Sequence, residues 1–240
     1  MRIGIIGKGR LGSALAAEAG THLAWQVGRE VPPEIAVDAA IDASAAVAVP
    51  SRVDWALTTG TNLLIGTTGW NLPDLKDRIG DRIGVIVAPN FSLTVALYAR
   101  LSLVLARYAA LGEDCDPYLV EHHHARKHDA PSGTAKQLAA TLLKGFPRKT
   151  EWVIPAVGMP VGPHQLNVSS IRAGHTYSSH IVGLDSPGEV LELHHAARSA
   201  RPYAAGALVA SRWLQGRKGL FTMDQVAAEI LDPLFQEIVP

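Results

Sequence analysis

Ile3-Gly4-Ile5-Ile6-Gly7-Lys8-Gly9-Arg10-Leu11-Gly12 is the stretch whose reading decides the fold. Its first four residues form a short apolar run. The last six satisfy G-x-G-x-x-G where that run gives way to a helical pattern over Leu11–Ala19. Strand, tight turn and helix in this order predict the first unit of a Rossmann-like sheet. Gly7 permits the turn, Gly9 lets the backbone approach a pyrophosphate, and Gly12 allows close helix packing. The unpaired N–H groups at the helix start, at the positive end of its dipole, then make an anion seat. The competing reading is an ordinary turn that merely needs positive φ angles. The position directly behind a strand, with a helix following, favours the cofactor.

Outward from that turn, strands are predicted at Leu23–Val27, Ala39–Ile41, Leu63–Ile65 and Val85–Ala88. Helical or polar segments separate most of them, the alternation of a parallel, doubly wound sheet. From Asn90 the pattern changes. Leu93–Leu111 reads as a long amphipathic helix and Tyr118–His124 as a strand, while Leu166–Arg172, Tyr177–Val182 and Val190–His195 alternate like the strands of an antiparallel meander. Helices return over Tyr203–Leu214 and Met223–Leu231, with a turn at Gly219 between them. The expected fold class is α/β: a Rossmann-like dinucleotide-binding domain over residues 1–92 and 201–240, with an inserted α+β substrate-binding and oligomerisation domain over residues 93–200.

The chain has 240 residues, 48% of them hydrophobic, enough for sizeable buried cores. Lys plus Arg number 22 and so do Asp plus Glu, which leaves no global field to attract nucleic acid or an anionic membrane. Cys115 is the only cysteine, which excludes an intrachain disulfide and a thiolate-rich zinc site and fits a reducing compartment. The N-terminus is unlike a signal peptide, and no run approaches the ~20 apolar residues of a membrane span. The expected location is cytoplasmic, with neither nucleic acid nor membrane as partner. The second strand ends in Gly28-Arg29-Glu30. Arg29 there, with Lys8 nearby, suits a 2′-phosphate and predicts NADPH as the preferred cofactor, with NADH possible through Glu30.

The densest chemistry lies at Glu121–Thr134, EHHHARKHDAPSGT, where His122, His123, His124, Lys127, His128 and Asp129 fall within eight positions. Strand alternation sends His122 and His124 to one face and His123 to the other. Pro131-Ser132-Gly133-Thr134 precedes a helical run over Ala135–Lys144, with Ser132 or Thr134 as cap, and exposes N–H donors that can grip a carboxylate together with Lys127 and a histidine. Two rival readings stand beside this one. In the first, His123, His124, His128 and Asp129 ligate a metal, although a lysine amid the cluster argues against it. In the second, the histidines cap a strand and Pro-Ser-Gly-Thr merely starts a helix.

This segment, with Pro131-Ser132-Gly133-Thr134 following Lys127 at this spacing, resembles the dihydrodipicolinate reductase family. Three further stretches resemble it in the same order: Ile65-Gly66-Thr67-Thr68-Gly69-Trp70, Ala88-Pro89-Asn90-Phe91-Ser92, and Ile171-Arg172-Ala173-Gly174 with the later Gly188-Glu189. The resemblance implies hydride delivery from NAD(P)H to a cyclic dicarboxylate imine, giving tetrahydrodipicolinate in lysine and diaminopimelate biosynthesis. It implies His123 as catalytic acid/base and Lys127 as proton donor. By the same resemblance His124, Ser132, Gly133, Thr134 and Thr68 bind substrate, and Gly66, Thr67, Thr68, Ala88, Pro89, Asn90 and Phe91 line the nicotinamide side. Gly7, Lys8, Gly9, Arg10, Leu11, Gly12 and Arg29 would hold the rest of the cofactor. No metal is expected, and the family implies a homotetramer.

Elementary chemistry agrees with these roles: hydride arrival makes a conjugated acceptor electron-rich, so an acid must supply a proton, and histidine titrates near neutrality. A lysine ammonium near two carboxylates both binds and donates. The chain departs from the family pattern in a glycine turn one residue shorter, in Gly28 at a usually acidic position and in Ala43 where an aromatic is frequent. The alternatives are a metal-dependent hydrolase or lyase using the histidines, and a non-catalytic NADPH-binding sensor, against which the intact His123 and Lys127 speak. His122 and His128 are assigned packing or exposure only.

Overall fold

Apolar runs of only four or five residues are buried on both faces when helices cover a parallel sheet. The computed structural model, which describes residues 1–236, builds its N-terminal part that way. In chain order the elements are β1 (Ile3–Ile6), α1 (Arg10–Ala19), β2 (Leu23–Val27), β3 (Ala39–Asp42), α2 (Val49–Thr59), β4 (Asn62–Ile65), α3 (Leu75–Ile79), β5 (Gly84–Val87) and α4 (Leu93–Ala109). There follow β6 (Asp116–His123), α5 (Gly133–Gly145), β7 (Glu151–Val153), β8 (Gln165–Arg172), β9 (Ser178–Ser186), β10 (Glu189–Ala197), α6 (Arg201–Trp213), β11 (Gly219–Thr222) and α7 (Met223–Gln236). Two units result, one from Met1–Leu93 with the segment from Ala200 onward, the other Thr94–Ser199.

The first unit holds a six-stranded sheet in the order β11-β5-β4-β3-β1-β2, parallel throughout. Ile3, Ile5 and Ile41 face one core with residues of α1, α6 and α7, while Ile6, Leu63 and Ile65 face the other with residues of α2 and α3. The chain steps from β1 to β2 on one side and to β3 on the other. The crevice where such a sheet takes its ligands therefore opens at the carboxyl ends of β1 and β3. Only a turn was expected at Gly219; the structure shows a strand, β11, paired with β5 from Gly219↔Gly84 to Thr222↔Val87.

In the second unit the five-stranded sheet runs β10-β9-β6-β8-β7. The expected meander is only half correct. β9 and β10 form an antiparallel hairpin and β9 also pairs antiparallel with β6, but β8 lies on the far side of β6 and parallel to it. Apolar alternation marks a strand without naming its neighbour. The helix α5 carries the chain from β6 back to the starting end of the sheet for β7, and residues 154–164 return it again for β8, which is how parallel strands are connected. α4 and α5 cover one face, burying Tyr98, Leu105, Leu138 and Leu142 against Leu119, Leu166, Val168 and Val182. Among the described residues no helix is long and apolar enough to cross a membrane.

Candidate functional site

The glycine turn is built almost entirely from backbone. Gly7 has φ +126°, and a Cβ added there would stand 2.2 Å from the Ala43 carbonyl oxygen, at the end of β3. One on Gly12 would stand 2.2 Å from the Gly7 oxygen, so α1 closes on the turn as the motif requires. Gly9 differs: nothing lies within 4 Å of its added Cβ, and this open face at the start of α1 is where a diphosphate fits. Gln26 on β2 ties the loop from outside, its Nε2 donating to the oxygens of Gly7 (2.9 Å) and Gly12 (3.2 Å). Sequence reasoning passed over Gln26, since one polar residue in a strand carries no signal by itself.

Beside the turn, Asp42 ends β3 fully buried. Its carboxylate accepts from Ser44 Oγ and Thr67 Oγ1, both at 2.5 Å, and Thr67 Oγ1 accepts from Ser44 N at 2.9 Å. Burial raises its pKa above the usual aspartate value against those hydrogen bonds. Thr67 thus joins the loops after β3 and β4, while Thr68 is exposed. Leu11 packs against the core, and Phe91, expected on the nicotinamide side, is only 1% exposed and belongs to the core. Ala88 is buried, Pro89 is exposed, and Asn90 Oδ1 accepts from Ser92 N (2.8 Å) ahead of α4. At the end of β2 the acid missing at Gly28 comes from Glu30, whose Oε2 accepts from Gly28 N at 2.5 Å and whose Oε1 lies 3.6 Å from Lys8 Nζ. Those backbone hydrogen bonds, then Lys8, hold its pKa below the usual range. Arg10 and Arg29 are exposed in the same unit.

In the second unit the organising group is Glu121, which sequence reasoning named only as the edge of the histidine segment. It lies on β6, fully buried, two residues before His123 and on the same face of the strand. Glu121 Oε1 accepts from Ser132 N (2.9 Å), Ser170 Oγ (2.7 Å) and Arg172 Nη2 (2.6 Å). Oε2 lies 3.2 Å from His123 Nδ1 and 3.7 Å from His180 Nε2. Burial favours a neutral carboxyl, but the donors of His123, Ser132, Arg172 and Ser170 outweigh it and hold Glu121 well below the usual carboxylate range. His180 goes the other way: burial, then the charge of His123, lowers it to about 4, so it is neutral at pH 7. The two imidazoles meet edge to face, centroids 5.3 Å apart. Tyr98 on α4 fixes the strand behind them, its hydroxyl donating to the oxygens of His180 and Leu193 and accepting from Val182 N.

Ser132 is the cap of α5, its Oγ accepting from Ala135 N at 3.2 Å. Its N–H is given to Glu121 and its Oγ also sits 3.3 Å from His180 Nε2. The first-turn donors without an intrahelical acceptor are therefore those of Gly133 and Thr134, and Gly133 has open space around it. The Lys127 side chain is three-quarters buried, and its Nζ pairs with Asp129 Oδ1 at 2.7 Å, which lowers the Asp129 pKa. Arg172 Nη2 donates to the Asp129 oxygen at 2.6 Å, tying the turn after β6 to the end of β8. His124 is half-buried on the opposite face from His123, beside His122, whose Nε2 lies 3.0 Å from the Ala173 oxygen; His128 is exposed.

The structure therefore gathers His123, Ser132, Gly133 and Thr134 around Glu121 and leaves Thr68 in the other unit. It does not assemble the metal set weighed from sequence. Among the described residues the ligand-type atoms lying within 4.8 Å of one another belong to Glu121, His123 and His180. Strand alternation removes His124 from that face and the exposed turn removes His128. The Arg172 guanidinium on Glu121 disfavours a second cation there.

A family profile described as dihydrodipicolinate reductase, N-terminus, matches residues 29–91, and one described as dihydrodipicolinate reductase, C-terminus, matches residues 94–227. The 4-hydroxy-tetrahydrodipicolinate reductase of Zymomonas mobilis is 34% identical over 94% of this chain and 96% of its own length. That of Gluconobacter oxydans is 34% identical over 92% and 95%. Among solved structures, a dipicolinate-bound dihydrodipicolinate reductase from Paenisporosarcina shares the fold, with a TM-score of 0.72 over 92% of this chain and 97% of that one at 19% identity.

Proposed function

The chain belongs to the dihydrodipicolinate reductase family, and from that premise we propose that it is a 4-hydroxy-tetrahydrodipicolinate reductase of the lysine and diaminopimelate pathway. When bound at the glycine turn, a reduced nicotinamide dinucleotide supplies the hydride that turns the cyclic dicarboxylate imine into tetrahydrodipicolinate. Gly9 fits that cofactor because its open face leaves the first N–H groups of α1 accessible to a diphosphate. The chain's own side chains do the remainder. His123 acts as acid/base, supplying the proton that the electron-rich ring takes up after hydride arrives. Lys127 holds a substrate carboxylate and donates, leaving Asp129 for the ligand. The N–H groups of Gly133 and Thr134, at the positive end of α5, take a carboxylate, while His124, on the other face of the strand, is left without a part in this seat.

One observation carries this reading: a single buried carboxylate, Glu121, joins the imidazole of His123 to the start of α5. Acid and anion seat are built as one piece. NADPH is the proposed preferred cofactor, with NADH accepted, because Lys8 and Arg29 outnumber Glu30 at the end of β2. The active assembly is proposed to be a homotetramer, testable by light scattering. Following the absorbance of NADPH with freshly made imine substrate tests the function. Wild-type protein should turn over, and His123→Ala and Lys127→Ala should each lower kcat at least ~100-fold. Near wild-type turnover in both variants would end the mechanism.

A further inference from the structure

Glu121 is a fully buried carboxylate that takes no part in the proposed proton transfer itself. Burying a charge is costly unless it is paired, and Oε1 alone receives three donors. The other oxygen is different. Oε2 and His123 Nδ1 are both buried, and neither makes a well-aligned hydrogen bond to any group among the described residues. They lie 3.2 Å apart, within ion-pair distance, so burial leaves each chiefly the other as partner.

We propose that Glu121 is a positioning residue that sets the tautomer and orientation of His123, holding Nδ1–H inward so that Nε2 faces the substrate, and that through Ser132 it keeps that imidazole in register with the start of α5. The inference rests on reading His123 as the acid/base. An ionised carboxylate accepts but cannot donate, so the neutral imidazole must keep its proton on Nδ1. His180 on β9 lies 3.7 Å from the same oxygen. It is held neutral by burial, and its Nε2 is already 3.3 Å from Ser132 Oγ. Arg172 on β8 occupies the far oxygen and Lys127 is paired with Asp129, so neither displaces the imidazole from Oε2.

Glu121→Gln separates the two functions of the carboxylate. The glutamine carbonyl oxygen still accepts from Ser132, Ser170 and Arg172, so the seat stays built. Its NH2 group then faces His123 Nδ1, which must become an acceptor, and the proton moves to Nε2. Nε2 would still face the substrate but in the wrong tautomer, and the imidazolium would have lost the carboxylate that stabilises its Nδ1–H, the kind of error that costs an enzyme turnover rather than binding.

The test is long-range 1H–15N NMR of histidine rings at roughly pH 8.5, where reference imidazole is neutral, with His123 assigned by its loss in His123→Asn. Wild-type His123 should be the Nδ1–H tautomer and Glu121→Gln should give Nε2–H. In the imine assay Glu121→Gln should lose at least ~10-fold in kcat while KM moves less than about 3-fold. An Nε2–H tautomer in the wild type, an unchanged tautomer in the variant, or a raised KM with kcat intact would each overturn the proposal. Beyond the His123→Asn assignment, the wild-type tautomer is read without Glu121→Gln and without substrate. A protein with the Nδ1–H tautomer but no imine turnover would sink the functional reading and leave standing only that Glu121 sets the tautomer of His123.

Discussion

The turn after β1 and the cluster around Glu121 both leave helix N-terminal donors open, yet they are made of opposite materials. The first uses backbone: glycines whose missing side chains let Gly7, Ala43 and Gly12 approach one another, with Gln26 tying the loop from outside. The second uses side chains from β6, β8, β9 and the start of α5, assembled on a buried carboxylate. Peptide groups do not titrate and glycines tolerate little replacement. Carboxylates and imidazoles titrate and depend on partners far away in sequence. The turn should therefore fail by steric change, and the cluster by a change of charge.

The largest expected effect is at Gly7. Alanine there meets both a φ of +126° and a backbone oxygen at 2.2 Å, and should destabilise the chain by roughly 3 kcal/mol or more in urea unfolding. Full stability in Gly7→Ala would mean that the turn yields and that the contrast is false. Next comes pH. The folded value of His180, about 4, lies below the 6.5 of a free histidine because burial disfavours its charge. The unfolded chain therefore binds the extra proton first, and the stability this group contributes, complete above pH 6.5, is lost as pH falls toward 4. The loss should reach about 3 kcal/mol. His180→Gln should flatten the urea midpoint across that window, whereas a variant as steep as the parent would place the titration elsewhere. Glu121, whose value is depressed, should lose its contribution only at more acid pH. Smaller still is the effect of Gly9→Ala. Its methyl group meets no protein atom, so stability should hold within about 0.5 kcal/mol. NADPH should bind about 10-fold more weakly by fluorescence titration, because the methyl occupies the diphosphate's approach. A destabilised Gly9→Ala with unchanged affinity would reverse the roles of the two glycines.

The same contrast explains what could be read from the sequence. The turn is legible because its parts are six consecutive residues whose spacing has a steric reason. The strands from Leu23 to Val87 are legible because parallel strands covered by helices are largely apolar runs. In the second unit, Glu121, His123 and Ser132 lie close in sequence, but Ser170, Arg172 and His180 come from strands whose neighbours the alternation of apolar residues does not specify. Taking β8, β9 and β10 as one meander separates β8 from β6 and so hides the contact of Arg172 with Glu121. A strand–helix–strand order around α5 was the available clue to the parallel pairing. β11 was hidden for another reason: four residues beginning with glycine, at a sheet edge, look like a turn until β5 is beside them.

The smallest expected effect lies at the exposed end of β2, where the two materials meet. Glu30 reaches back to the Gly28 N–H and pairs with Lys8, both side chains more than half exposed, so solvent screens each charge and no single one should dominate cofactor choice. Arg29→Ala should raise the KM for NADPH about 3- to 5-fold, the size of an exposed ionic contact, and leave the KM for NADH unchanged. Glu30→Ala should do the reverse, weakening NADH, whose ribose hydroxyls need an acceptor, and sparing NADPH. If the wild type prefers NADH and Glu30→Ala removes that preference, this end of the sheet is read by its acid rather than by its cations. The proposal of NADPH then falls, while the backbone turn beside it keeps its role.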